Sequence, residues 1–218
     1  MPIEVILADD HQVLRDSLAD VLANDAELVV VGQAEDGREA LHLCRQLKPD
    51  VVVMDINMPE LNGVEATRQI TLDMPDVQII ILSMYATKEH IYQAFQAGAR
   101  GYLLKETSVQ ELVEAIKKVA AGDRFLSQTL TETVIDEYFL QRDGQTYLSP
   151  LDSLSSRERQ IFQLVAEGKS SKEIANSLHL AESTISTYRN RLMKKLGLKD
   201  LTSLIKFAME AGVIDPSR

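Results

Sequence analysis

The chain has 218 residues, 45% hydrophobic and 26% charged, with 33 acidic against 23 basic side chains. This composition excludes a disordered, collagenous or rod-like polymer and fits one or two globular domains. The single cysteine, Cys44, excludes an intrachain disulfide, and no apolar run reaches the ~20 residues needed to span a bilayer, so a reducing, cytoplasmic setting without membrane contact is expected.

The charge is unevenly placed. Residues 1–120 hold 10 basic and 20 acidic side chains, whereas residues 151–218 hold 11 against 8. Only the C-terminal third is suited to attract phosphates, and nucleic acid is a candidate partner for that part alone.

Short runs rich in Val and Ile recur at Ile3 to Ala8, Leu28 to Val31, Val51 to Met54, Val77 to Leu82 and Tyr102 to Leu104. They have strand length and are apolar on both faces. Between and after them lie helical spacings, such as Val13, Leu14, Leu18, Val21 and Leu22, or Leu112, Val113, Ile116 and Val119. Five strands alternating with five helices predict a doubly wound α/β domain with a parallel five-stranded sheet.

Such sheets carry ligands at the carboxyl ends of their strands. There the sequence puts Asp9 and Asp10 after the first strand, Asp55 after the third, Ser83 at the fourth and Lys105 after the fifth. Carboxylates brought together repel unless a cation sits among them, and a divalent, oxygen-seeking ion such as Mg²⁺ fits. A hydroxyl and an ammonium across the same crevice suit a phosphoryl group in transfer, with Asp55 as the nucleophile. Singly, each residue has a plainer reading: a helix cap for Asp9 or Asp10, a turn for Ser83, a solvated charge for Lys105. Jointly, at four strand ends of one sheet, those readings lose ground.

These residues resemble the receiver domain of two-component response regulators. The match rests on Asp9-Asp10, on Asp55 within Met54-Asp55-Ile56-Asn57-Met58-Pro59 with Gly63 following, and on Ser83, Tyr102 and Lys105, over about residues 1–122. The resemblance implies a flavodoxin-like sheet of order 2-1-3-4-5 and a phosphoryl group passed from a sensor histidine kinase to Asp55. It implies Mg²⁺ bound by Asp10, Asp55 and the Asn57 carbonyl, with Asp9 acting largely through water. Lys105 would pair with Asp55 or its phosphate, Ser83 would hydrogen-bond a phosphate oxygen, and Tyr102 would turn inward as Ser83 moves. Glu106 stands where proline often follows the lysine, which argues against a cis peptide there, since a non-proline cis bond costs ~3 kcal/mol.

Residues 123–150 read as a linker. Leu130, Val134, Ile135, Tyr138 and Phe139 suit one amphipathic helix, after which Asp143-Gly144-Gln145 and Ser149-Pro150 break the pattern.

From residue 151 the pattern is helical. Ser155-Ser156-Arg157-Glu158 fits a capping box before Ile161, Phe162, Leu164 and Val165, with Gly168 as terminator. Ser171 is expected to cap a second helix, and His179-Leu180-Ala181 turns into a third that starts near Ser183 or Thr184. Two short helices about a tight corner suggest a helix-turn-helix. A fourth helix is expected from Asp200 to Ala211. On the third, Ile185, Tyr188, Leu192 and Leu196 form an inward stripe. The other side offers Ser183, Thr184, Ser186, Thr187, Asn190, Arg191, Lys194 and Lys195 as donors to phosphates and base edges.

Residues 151–218 thus form a small all-α domain, and over about 151–214 it resembles the LuxR-type DNA-binding domain. The residues are Leu154-Ser155-Ser156-Arg157-Glu158, Ala166-Glu167-Gly168, Ser171-Lys172-Glu173-Ile174-Ala175, Thr184-Ile185 and Lys195-Leu196. A receiver followed by this domain is similar to the NarL/FixJ class, which implies a regulator that is not a metabolic enzyme. It implies a homodimer when phosphorylated, double-stranded promoter DNA as ligand and RNA polymerase as a further partner. Ser183 and Ser186 stand where the family often has lysine, which shifts phosphate binding toward Lys194 and Lys195. Two other readings stand beside it: a Mg²⁺-dependent phosphatase, for which Asn57 is a poor acid, and a regulator controlled by a ligand rather than by phosphorylation.

Overall fold

A computed structural model describes residues 1–84, 87–127, 130 and 150–214. The chain divides into two compact units, Met1–Asp143 and Gly144–Arg218.

In the first unit the strands are β1 (Ile3–Ala8), β2 (Leu28–Ala34), β3 (Val51–Met54), β4 (Gln78–Ser83), β5 (Gly101–Leu104) and β6 (Phe125–Leu126). The intervening helices are α1 (Gln12–Leu22), α2 (Gly37–Leu47), α3 (Gly63–Asp73), α4 (Lys88–Ala97) and α5 (Val109–Ala120). Every strand pairing is parallel and the order is β2-β1-β3-β4-β5-β6. The sheet therefore has six strands among the described residues rather than the five expected. The sixth has only two residues, too few for any periodicity to register. Its place comes from pairing: Gly101 and Tyr102 of β5 sit opposite Phe125 and Leu126.

Side-chain alternation along the strands feeds two apolar layers. Ile6, Val52, Ile79 and Ile81 point to one, where Ala40 and Cys44 of α2, Ala66 and Ile70 of α3 and Ala94 of α4 cover them. Val5, Leu7, Val53, Ile80 and Leu82 point to the other, under Leu22 of α1 and Leu112, Ile116 and Val119 of α5. A sheet buried on both faces needs strands without polar alternation, and these strands have none. Cys44 lies fully in the first layer, where burial pushes its thiol up to about 12 and leaves it inert at neutral pH. The helices differ in their hold: α5 buries four side chains fully, whereas α1 buries only Leu22 and leaves Val13 80% exposed.

The capping signals are local. Asp36, Asn62, Thr87 and Ser108 accept backbone N–H bonds at the starts of α2 to α5. At α1 neither aspartate is the cap. His11 holds that position without a side-chain bond to the helix N–H groups, and the Asp9 carboxylate accepts the His11 N–H at 2.9 Å.

In the second unit a 3-10 turn at Pro150–Ser153 precedes α6 (Ser156–Ala166), α7 (Ser171–Leu178), α8 (Glu182–Leu196) and α9 (Leu201–Glu210). Their core joins Leu154, Ile161, Phe162, Ile174, Leu178, Ile185, Leu192 and Leu204. The Ser155–Glu158 capping box opens α6 as expected. Ser170, not Ser171, caps α7, because Glu173 completes a capping box only when counted from Ser170. No cis peptide occurs among the described residues. Of the expected linker helix, Leu130 is buried against the first apolar layer. Val134, Ile135, Tyr138 and Phe139 lie outside the described residues.

Candidate functional site

The strand ladders continue past the strand ends and bring the polar residues into one row. Asp55 N–H donates to the Ala8 carbonyl at 2.8 Å, Asp9 N–H to Ala34 at 3.1 Å and Lys105 N–H to Ser83 at 2.8 Å. Asp9 and Lys105, 96 positions apart, thus converge because a parallel sheet puts all its carboxyl ends on one edge.

There Lys105 Nζ lies 2.6 Å from Asp9 Oδ2 and 2.9 Å from Asp55 Oδ2. The Lys105 side chain keeps only 8% of its exposure, and Asp55 as a residue only 4%. His11 Nδ1 lies 3.1 Å from Asp9 and 2.9 Å from Asp10. Asp9, Asp10, His11 and Asp55 each offer one ligand atom, all within 4.8 Å of one another. Asn57 Oδ1, two residues after Asp55, is buried and has no hydrogen-bond partner among the described residues.

Burial raises the Asp55 carboxyl above the usual carboxylate range. Lys105 opposes that shift, while the charges of Asp9 and Asp10 add to it. For Lys105, burial works downward, but the carboxylates of Asp55 and Asp9 outweigh it and hold the ammonium above the usual lysine value. One buried ammonium against three carboxylates leaves the pocket short of positive charge. Oxygen ligands in that number suit a hard divalent cation, so the residues fit Mg²⁺.

Ser83 and Tyr102 are fully buried beside the row. Burial pushes the Tyr102 hydroxyl up to about 12, opposed by its hydrogen bond with Ser83 and reinforced by the Asp55 charge. The ring thus already lies inward. Two neighbours escaped the sequence reading. Arg15 Nη1 of α1 donates to the Asp9 carbonyl, and His11 bridges both acids. For His11 the signal was present, directly after the acidic pair; Arg15 becomes legible only once α1 is built.

Asp55 also has a close backbone neighbour. A Cβ on Gly63 would lie 1.8 Å from the Asp55 carbonyl oxygen, so only glycine admits the first turn of α3 at that distance.

In the second unit, Ser183, Ser186, Thr187, Asn190, Arg191, Lys194 and Lys195 of α8 are exposed and Thr184 is half-buried. At 100° per residue, Asn190, Ser183, Lys194, Thr187 and Arg191 form one continuous stripe. Lys195 lies at its margin and is engaged elsewhere: Nζ is 2.6 Å from Glu158 Oε2 and 3.1 Å from the Ser153 carbonyl. Arg189, also unforeseen, donates to Ser171 Oγ at 3.1 Å and ties α8 to α7, while Arg157 donates to the Leu178 carbonyl at 3.0 Å and ties α6 to the end of α7.

A parallel α/β domain with an acid triad, lysine and hydroxyl on its carboxyl edge, followed by a helix-turn-helix unit, defines a response regulator with a DNA-binding output. Comparison with known proteins agrees. Residues 5–117 match the response regulator receiver domain and residues 152–208 the bacterial regulatory proteins of the luxR family. The chain is 34% identical over 222 residues to the transcriptional regulatory protein DegU of Brevibacillus brevis, covering 96% of this chain and 94% of that one. It is 37% identical over 213 residues to the response regulator GacA of Pseudomonas aeruginosa, covering 98% of each. Among solved structures, the response regulator ChrA of a heme-sensing two component system aligns with a TM-score of 0.53 at 31% identity, over 98% of this chain and 99% of that one. The chain belongs to the LuxR-type response regulators, DNA-binding regulators of transcription rather than metabolic enzymes.

Proposed function

We propose that residues 1–122 act as a phosphoacceptor domain whose Asp55 takes a phosphoryl group from a sensor histidine kinase. Residues 151–218 then bind promoter DNA as the output. The Asp55 carboxylate attacks phosphorus, a P–O bond forms, the P–N bond to the kinase imidazole breaks, and the imidazole takes up a proton as it leaves. Lys105 stabilises the transferred oxygens, and the Ser83 hydroxyl exchanges its Tyr102 partner for a phosphate oxygen. That exchange gives the phosphorylated state an interaction the free state lacks, which is what a two-state switch requires. Asp9, Asp10, Asp55 and Asn57 would hold Mg²⁺, which supplies neutralisation of phosphoryl oxygens when bound.

The observation that carries this reading is the Lys105 ammonium, within 2.9 Å of Asp55 and 2.6 Å of Asp9 at the strand ends. Homodimerisation on phosphorylation, paired half-sites on DNA, contact with RNA polymerase and a cytoplasmic location complete the proposal. Ser183, Thr184, Ser186, Thr187, Asn190, Arg191 and Lys194 are the DNA-facing side chains. The test compares protein treated with beryllofluoride and Mg²⁺ against untreated protein, scoring mass in solution and binding to a promoter library. Treated protein should dimerise and bind selected sites more tightly, with Asp55→Asn unresponsive. Equal binding in both states would overturn it.

A further inference from the structure

Lys195 sits in the last turn of α8 and has the residue type expected of a phosphate contact, yet its ammonium is bonded to groups of its own unit, Glu158 and the Ser153 carbonyl. Its partner Glu158 keeps 4% exposure, and the same Glu158 Oε2 accepts the Ser155 N–H at 2.9 Å and the Ser155 hydroxyl at 3.0 Å. The Ser153 carbonyl, at the end of the 3-10 turn, accepts a second hydrogen bond from the ammonium at 3.1 Å. One cation thus joins the entry turn, the start of α6 and the end of α8. Lys194, one residue earlier and 100° around the helix, is exposed and has no ion pair or hydrogen bond among the described residues.

We propose that Lys195 is a positioning residue: it fixes the end of the groove-reading helix to the start of α6 through Glu158 and does not neutralise a DNA phosphate. The inference rests on the reading of α8 as the helix that enters the groove. The ion pair is sited to matter more than a surface pair, because loss of the lysine leaves a nearly buried carboxylate with only the Ser155 donors. The Lys195 hydrogen bond is also the leading reason that the Glu158 carboxyl lies below the usual glutamate value.

Salt dependence separates the two roles. Each phosphate neutralised by a side chain contributes about 0.9 to the slope of log K against log salt. Full-length protein, with Lys195→Gln, Glu158→Gln, the double variant, Lys195→Arg and Lys194→Gln, is titrated with a random-sequence duplex from 50 to 200 mM salt, an experimental range chosen as in other DNA-binding systems. Circular dichroism confirms that each variant keeps its helix content.

Lys195→Gln should weaken binding about fivefold with the slope unchanged, the scale of one partly exposed ion pair. Glu158→Gln should do the same, the double variant should be no weaker than either, and Lys195→Arg should restore affinity. Lys194→Gln should flatten the slope by about 0.9. The proposal is overturned if Lys195→Gln flattens the slope as much while Glu158→Gln leaves affinity intact, or if the two losses add. A silent Lys194→Gln would instead unseat the assignment of the exposed α8 face. The Lys195–Glu158 tie would then still stand or fall on the non-additivity.

Discussion

Replacing Gly63 by alanine tests whether the backbone beneath Asp55 has any slack. The new Cβ would lie 1.8 Å from the Asp55 carbonyl oxygen, 2.8 Å from its carbon and 2.9 Å from Met54 Cγ. Side-chain carbons essentially never approach within 3.0 Å, so α3 and the end of β3 must separate by about 1.2 Å. The obstacle is backbone rather than a flexible side-chain tip. The hydrogen bond from Gly63 N–H to the Ile56 carbonyl, 2.9 Å, spans the same gap and would stretch with it. Forcing an extra carbon into such a contact costs about 1–3 kcal/mol, and a misplacement of ~1 Å at a reacting group costs about 10²-fold in rate. Thermal melting should therefore fall by roughly 5 °C or more. Phosphorylation of Asp55 by acetyl phosphate with Mg²⁺, followed by intact mass, should slow by about two orders of magnitude. Gly122→Ala is the control: nothing lies within 4 Å of its Cβ and only the positive φ of 93° is strained. It should cost about 1 kcal/mol and leave the rate alone. Gly63→Ala with wild-type melting and wild-type rate would refute the argument.

Other perturbations follow from the same contacts. Lys105→Met strips the cation from two buried carboxylates and should cost about 3 kcal/mol at pH 7. Because the Asp55 carboxyl already lies above its usual value, the native state binds a proton more readily than the unfolded chain, so this deficit should shrink as pH falls; urea unfolding at pH 7 and 5 reads it. Glu158 has the opposite sign: its carboxyl is held below the usual 4.5, so its contribution is present above that value and lost as pH falls through the lower, folded one. Glu158→Gln should flatten the acid limb of the second unit's stability, measured by helical ellipticity. Ser170→Ala should cost about 1 kcal/mol in thermal unfolding, as loss of a helix cap does, and Ser171→Ala clearly less.

The acidic pocket was legible in the sequence because strand ends are marked by abrupt change: Ala8 to Asp9, Met54 to Asp55, Leu104 to Lys105. A parallel sheet converts such marks into proximity without further information. Other features have no such mark. β6 owes its existence to a partner strand, not to its own two residues. Ser170 and Ser171 are equivalent in composition, and only the position of Glu173 decides which one caps. Lys195 read as a groove contact because charge and helical angle do not say which way a long flexible side chain turns when a nearly buried carboxylate lies within reach. The Gly63 contact with Asp55 likewise depends on how α3 enters against β3.

The weak anchoring of α1 has a kinetic meaning. With Leu22 as its only fully buried side chain, against four in α5, this helix holds to the sheet by little apolar surface, so its amides should exchange with solvent through local rather than global unfolding. Arg15 leaves with it, releasing the Asp9 carbonyl at the edge of the pocket. Each such opening frees one wall of the acid cluster while β3 and β5 keep Asp55 and Lys105 in place. One wall of the acid cluster is thus tied down by a single fully buried side chain, whereas the strands that carry Asp55 and Lys105 are buried on both faces.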